Sequence, residues 1–201
     1  MRSETQHKEW QVKEKESALT DRDSRYYRAA LGFNPEEFRG KTILDVGSGK
    51  KEEFSKEAEV LYDIKVFSVN PQLKDWKTRK KLQGWIFRDP EWQKRSIAAR
   101  GQELPFDDES FDAITSLYAI TFWVESEDRH EAIREMIRVL KPGGRIYLSP
   151  RGTNVDAFSA QEITSEEVLG EETIQWLKGQ GCSVNDDKTG PIVITKGIEE
   201  K

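Results

Sequence analysis

Short apolar runs separated by polar segments set the architecture of this chain. Thr42-Ile43-Leu44-Asp45-Val46 is followed by Gly47-Ser48-Gly49 and then by a charged stretch, Lys50 to Val60, with Phe54, Ala58 and Val60 at roughly helical spacing. A second apolar run, Ile64 to Val69, closes at Asn70-Pro71. Strand, helix and strand in about 30 residues is a βαβ unit, and such units build parallel sheets. Ser96-Ile97-Ala98-Ala99 and Phe111 to Leu117 predict further strands, and the apolar stretch Tyr118 to Trp123 follows directly. Glu127 to Leu140 predicts the strongest helix, with Ala132, Ile133, Met136, Ile137 and Leu140 on one face. Lys141-Pro142-Gly143-Gly144 stops it before a strand at Arg145 to Ser149. A helix over Ser165 to Lys178 precedes two short strands, Cys182 to Val184 and Ile192 to Thr195. Their short connection predicts an antiparallel pair.

The first 24 residues are mostly charged and polar, so an extension is expected over residues 1–33, with one α/β domain over 34–201. Within the extension, Ser24 to Gly32 reads as a short helix stopped by glycine, with Tyr26, Tyr27 and Leu31 on a shared face. That face either pads the sheet or folds over a ligand pocket as a lid. Asn34-Pro35 opens a further helical turn. Residues 72–95 form a basic insert with eight Lys/Arg against three Asp/Glu, interleaved with Trp76, Trp85, Phe87 and Trp92.

Composition narrows the function classes. The chain has 201 residues, 34% charged and 35% hydrophobic, with a formal net charge of -5. An acidic protein does not bind nucleic acid through its overall charge, although the insert at 74–95 keeps nucleic acid open as a partner. One cysteine, Cys182, and two distant histidines argue against a disulfide framework and against a metal site. No apolar stretch reaches the roughly 20 residues of a membrane span. Met1 to Glu16 lacks the apolar centre of a signal peptide, so a cytoplasmic location is expected.

The turn Asp45-Val46-Gly47-Ser48-Gly49 is the candidate ligand site. Glycine there lets backbone approach a ligand closely. Asn70 stands 21 residues after Gly49, where nucleotide-binding folds place a side chain against the ribose hydroxyls. An Asn can accept with one end of its amide and donate with the other. The turn lacks a third glycine and is followed by Lys50-Lys51-Glu52-Glu53, a poor cradle for pyrophosphate. Asp45 suits an ammonium group better than a phosphate. These features favour S-adenosylmethionine over a dinucleotide.

Three segments carry a family resemblance: Ile43 to Gly49, Glu103 to Asp112, and Arg138 to Arg145. In order and spacing they resemble the class I S-adenosylmethionine-dependent methyltransferases, of the type that includes the ubiquinone/menaquinone-biosynthesis enzymes. The resemblance covers about residues 40–150. It implies a Rossmann-like, doubly wound seven-stranded sheet of order 3-2-1-4-5-7-6 with the last strand antiparallel. It places Gly47, Ser48 and Gly49 under the methionine end of the cofactor with Asp45 orienting it. Asn70 and Pro71 fall at the ribose, Arg100-Gly101-Gln102 beside the adenine, and Leu117 with Tyr118 where the pocket opens toward the acceptor. Lys51, Asn70 and Arg100 depart from the family pattern of a glycine and two acids.

The expected activity is methyl transfer to a small-molecule acceptor. Alternatives are a degenerate fold acting as a binding module, or a nucleic-acid methyltransferase using residues 74–95. Methyl transfer depends mainly on alignment, and a base is needed only where the acceptor loses a proton. Tyr118, Thr121, Glu125 and His130 are the candidates near the fourth strand, none of them assigned as catalytic. His130 reads as a surface residue, and Glu125 and Asp128 as caps of the following helix.

Overall fold

The computed structural model describes residues 22–49, 52–74, 90–149, 164–185 and 190–198. Lys51, residues 1–21 and most of the basic insert therefore lie outside the described residues. In chain order the elements are α1 (Ser24–Leu31), a 3-10 turn (Pro35–Phe38), β1 (Thr42–Val46), α2 (Glu53–Tyr62) and β2 (Lys65–Val69). A second 3-10 turn (Pro71–Lys74), α3 (Pro90–Gln93), β3 (Ser96–Ile97), β4 (Phe111–Leu117) and a π turn (Ala119–Trp123) follow. The chain ends with α4 (Ser126–Val139), β5 (Leu140–Ser149), α5 (Ser165–Leu169), α6 (Glu171–Gly179), β6 (Ser183–Val184) and β7 (Ile192–Thr195).

The strands form one sheet of order β3-β2-β1-β4-β5-β7-β6. β1, β2, β3, β4 and β5 pair in parallel. β7 runs antiparallel to both β5 and β6. This is the expected doubly wound topology with the last strand reversed.

Alternation along each strand divides the core into two layers. Leu44, Val46, Ile114, Ile146 and Leu148 face the layer that includes Ile133 and Met136 of α4. Ile43, Val66, Ala113, Leu117 and Tyr147 face the layer of Tyr27, Leu31, Phe33 and Phe54. From Ser24 onward the segment expected as an extension is thus packed into the domain. Asp23 caps α1 by accepting from the Tyr26 N–H at 2.9 Å, and Gly32 ends it in the left-handed conformation.

Three local expectations change. The helix expected over Ser165 to Lys178 is two helices, because Gly170, at φ 85° and ψ 146°, takes a positive-φ conformation that only glycine adopts readily and that breaks the helical run. β5 starts at Leu140, and the Lys141-Pro142-Gly143-Gly144 segment forms a bulge opposite Phe111 and Ala113 rather than a loop before the strand. Val60 is 81% exposed, so only Phe54 and Ala58 of the three spaced residues face the sheet.

Two of the motif segments clamp each other. Arg138 donates to the Leu104 and Phe106 carbonyls at 3.0 and 2.8 Å and pairs with Glu135 and Asp108. Asp112 accepts from the Thr42 N–H at 3.0 Å and pairs with Lys141, also at 3.0 Å. Burial pushes the Asp112 carboxyl up, but the Thr42 N–H and the Lys141 ammonium outweigh it and hold it below the usual range. These residues fix the segments that lead into the amino ends of β1 and β4.

Candidate functional site

Parallel α/β sheets bind ligands at the carboxyl ends of their strands. A cavity of about 250 Å³ opens there, lined by residues including Gly47, Pro71, Gly101, Ile120, Trp123 and Glu125. Arg100, Gln102 and Asp128 also border it. A larger groove of about 570 Å³ lies at the opposite end of β1 and β2, among Gly40, Lys41, Asp63, Lys65 and Arg95. Its acids and bases are interleaved, with Glu59 pairing Arg95 and Glu91 pairing Lys94. Position and lining favour the smaller cavity as the site.

Of the expected site residues, Gly47, Pro71, Arg100, Gly101 and Gln102 line this cavity, whereas Asp45, Ser48, Gly49, Asn70 and Leu117 do not. Gly47 sits at φ 84° and its N–H donates to the Val69 carbonyl at 2.7 Å. A Cβ on Gly47 would lie 2.2 Å from the Ala119 Cβ, so the glycine accommodates the π turn that follows β4. Gly101 gives the same kind of room to Ile120.

Asp45 lies one layer below, fully buried on the face covered by α1. The Tyr27 hydroxyl donates to its two oxygens at 3.0 and 2.9 Å, and the Thr115 hydroxyl donates to Oδ1 at 2.9 Å. Burial pushes its carboxyl up to about 7, the two hydroxyl donors oppose the shift, and the buried Glu52 adds to it by repulsion. No cationic side chain pairs with Asp45 among the described residues. A buried carboxylate held by hydroxyls and faced by a second acid is electrostatically suited to receive a cation.

The expected ribose role of Asn70 meets a different arrangement. Its amide donates to the Gly49 carbonyl at 2.9 Å and its oxygen accepts from the Gln72 N–H at 2.9 Å. Donor and acceptor ends are thus both engaged by backbone, tying the glycine turn to the end of β2. Ser48 is buried in that turn, and its hydroxyl has no partner among the described residues.

Acids missing from the sequence pattern stand elsewhere. Glu125 precedes α4 but makes no side-chain cap bond, and both it and Asp128 are exposed at the cavity rim. Gln102 donates to Asp128 at 3.4 Å. Glu125 therefore faces the cavity rim without serving as the expected side-chain cap. His130 is half-buried, with Nδ1 3.1 Å from the Thr173 hydroxyl and its ring edge-on to Trp176. It belongs to the α4–α6 contact rather than to a free surface.

Tyr118, at the carboxyl end of β4, adopts a left-handed conformation with φ 66°. Its hydroxyl lies 2.7 Å from that of Tyr26, and Arg22 lies over both rings at 4.7 and 4.9 Å. Burial and the Tyr26 hydroxyl push the Tyr118 phenol well above its usual range, so it remains a neutral hydroxyl at physiological pH. Thr121 is turned toward the Ser149 carbonyl at 3.4 Å. Sequence reasoning missed Thr115, Glu52 and the role of Tyr27. Thr115 read as one more strand residue and Glu52 as part of a segment unfavourable to pyrophosphate, so neither was marked as a neighbour of Asp45.

The methyltransferase domain family matches residues 44–148, and the chain belongs to it. It is 32% identical over 114 residues to the ubiquinone/menaquinone biosynthesis C-methyltransferase UbiE of Idiomarina loihiensis, a match covering 55% of this chain and 42% of that protein. The chain spans about half the length of the curated relatives it matches. Among solved structures, an S-adenosylmethionine-dependent methyltransferase of Methanosarcina mazei matches at TM-score 0.52 and 18% identity, covering 90% of this chain and all of that one. The [4+2]-cyclase SpnF matches at TM-score 0.57 and 16% identity, over 87% of this chain and 79% of that one. At these identities the structural matches show the fold. Among the described residues no helix is long and apolar enough to cross a membrane.

Proposed function

We propose that the protein transfers a methyl group from S-adenosylmethionine to a small-molecule acceptor. The observation that carries this reading is Asp45: a fully buried carboxylate, lacking a cationic partner among the described residues, beneath a glycine turn at the carboxyl end of β1. The donor is itself a cation at its methionine end, and its sulfonium supplies an activated methyl group when bound.

The residues present fit such a ligand. Gly47 and the unpartnered Ser48 hydroxyl form the turn, and the cavity beside Gly101 and Gln102 has the apolar walls that an adenine needs. Asn70 holds the turn in place. Glu125 and Asp128 supply the acceptors for hydroxyl or amino groups that an acid at positions 70 or 100 would otherwise supply. The Tyr118 phenol, neutral and bonded to the Tyr26 hydroxyl, is not a base for the transfer. The small-molecule acceptor is supported by the relatives, whose names specify C-methylation in quinone biosynthesis.

Calorimetric titration with S-adenosylmethionine and S-adenosylhomocysteine tests the donor. Saturable binding of both is expected; no heat and no thermal shift at millimolar ligand would sink the reading. Transfer of labelled methyl from the donor to a panel of phenols and quinols then tests the acceptor class.

A further inference from the structure

We propose that α1 is a gate over the donor end of the site, and that Tyr27 is the internal ligand holding it shut. This inference rests on the functional reading above. The Asp45 carboxylate is fully buried and both of its oxygens accept from the Tyr27 hydroxyl. No group from solvent reaches it until Tyr27 moves. The cavity stops at Gly47 and, at about 250 Å³, lies just below the roughly 300–1,000 Å³ usual for small-molecule pockets. The missing space at the methionine end is filled by the protein's own groups.

The latch is built from polar contacts at one end of the helix. The Ser24 N–H and hydroxyl donate to Glu57 of α2 at 2.8 and 2.7 Å. Tyr26 meets the Tyr118 hydroxyl, and Arg22 lies over both rings. Tyr27 itself stacks on Phe54 with ring centroids 3.9 Å apart, which keeps the gate closed without donor. The other end is an apolar anchor: Leu31 and Phe33 are fully buried on either side of Gly32. At Gly32 a Cβ would meet only Pro191, at 3.8 Å, so the backbone there has room to turn. α1 therefore opens at its Ser24 end and pivots near Gly32. A donor ammonium makes a charge-assisted bond to Asp45, stronger than that from a neutral hydroxyl, and so it displaces Tyr27. Tyr27 is a positioning residue that competes with the donor.

The test uses the full chain with S-adenosylmethionine and S-adenosylhomocysteine as probes. Tyr27→Phe removes the competing hydroxyl, and Glu57→Ala loosens the far end of α1 without touching the site. Calorimetry should show both variants binding the donor about five- to tenfold tighter than the parent chain, the size expected for losing one competing hydrogen bond. Hydrogen exchange at the amides of residues 24–31 should be faster in both variants before ligand is added. Should Tyr27→Phe fail to fold, Glu57→Ala carries the test alone. Binding equal to or weaker than the parent chain in the folded variants overturns the gate and leaves the donor site standing. Absence of binding by the parent chain and both variants overturns the functional reading, and the gate with it.

Discussion

Replacing Asp45 by Asn separates a site residue from a structural one by the sign of its effect. The carboxyl moves from its usual value of 3.8 to about 7 on folding. The folded chain therefore retains a proton that the unfolded chain releases between these values, and stability falls as pH rises through that interval. The loss is about 2 kcal/mol at pH 5 and levels off near 4 kcal/mol above pH 7. Asn is a neutral isostere that accepts from the Tyr27 hydroxyl and offers its amide to the Thr115 oxygen. D45N should thus be more stable than the parent chain, by about 1–2 kcal/mol at pH 5 and up to about 4 kcal/mol at pH 8. Urea unfolding at the two pH values measures this. The same variant should bind S-adenosylmethionine roughly ten- to a hundredfold more weakly, because it loses a bond to a charged group worth about 1.5–3 kcal/mol. A D45N chain less stable at pH 8, with donor affinity unchanged, would refute the reasoning and make Asp45 a structural hydrogen-bond acceptor.

Two further substitutions probe the glycine turn. Asn70→Asp sets a carboxylate oxygen against the Gly49 carbonyl that now accepts from the amide. It should lower stability by about 1–3 kcal/mol and leave donor binding no tighter, measured by thermal melting and titration. Gly47→Ala meets the Ala119 Cβ at 2.2 Å from a backbone at φ 84° and should lose about 2–5 kcal/mol in chemical unfolding.

The sheet was legible because its strands carry local signals. Thr42 to Val46 and Phe111 to Leu117 are short runs of mostly apolar residues bounded by turn residues, and both strands lie in the interior of the sheet. The three motif segments were legible as a set: Arg138 and the Asp112–Lys141 pair bind the second to the third, and Asp112 also accepts from Thr42, next to the first. The site was legible in part. Gly47, Gly101 and Gln102 border the cavity as their positions imply, but the contacts that decide their chemistry are long-range. Tyr27 reaches Asp45 across 18 residues and Thr115 across 70, and neither partner is marked by spacing or composition. Asn70 illustrates the same limit. Its position matched a ribose ligand, yet its amide is engaged by the backbone of Gly49 and Gln72. Most of the basic insert, and with it the case for a nucleic-acid partner, lies outside the described residues.

The central claim is that a buried, half-protonated Asp45 receives the cationic end of the donor. Tyr27 and Glu52 are the titratable groups that face it, and the carboxyl stands at about 7 before donor arrives. Pairing with a cation requires the ionised form, so binding must release the proton. Calorimetric titration of S-adenosylmethionine in buffers of different ionisation enthalpy measures that release directly. Release of most of a proton per donor is expected at pH 6, falling toward pH 7 as the carboxyl ionises on its own, with affinity rising over that interval. Tight binding that releases no proton at pH 6 would contradict it.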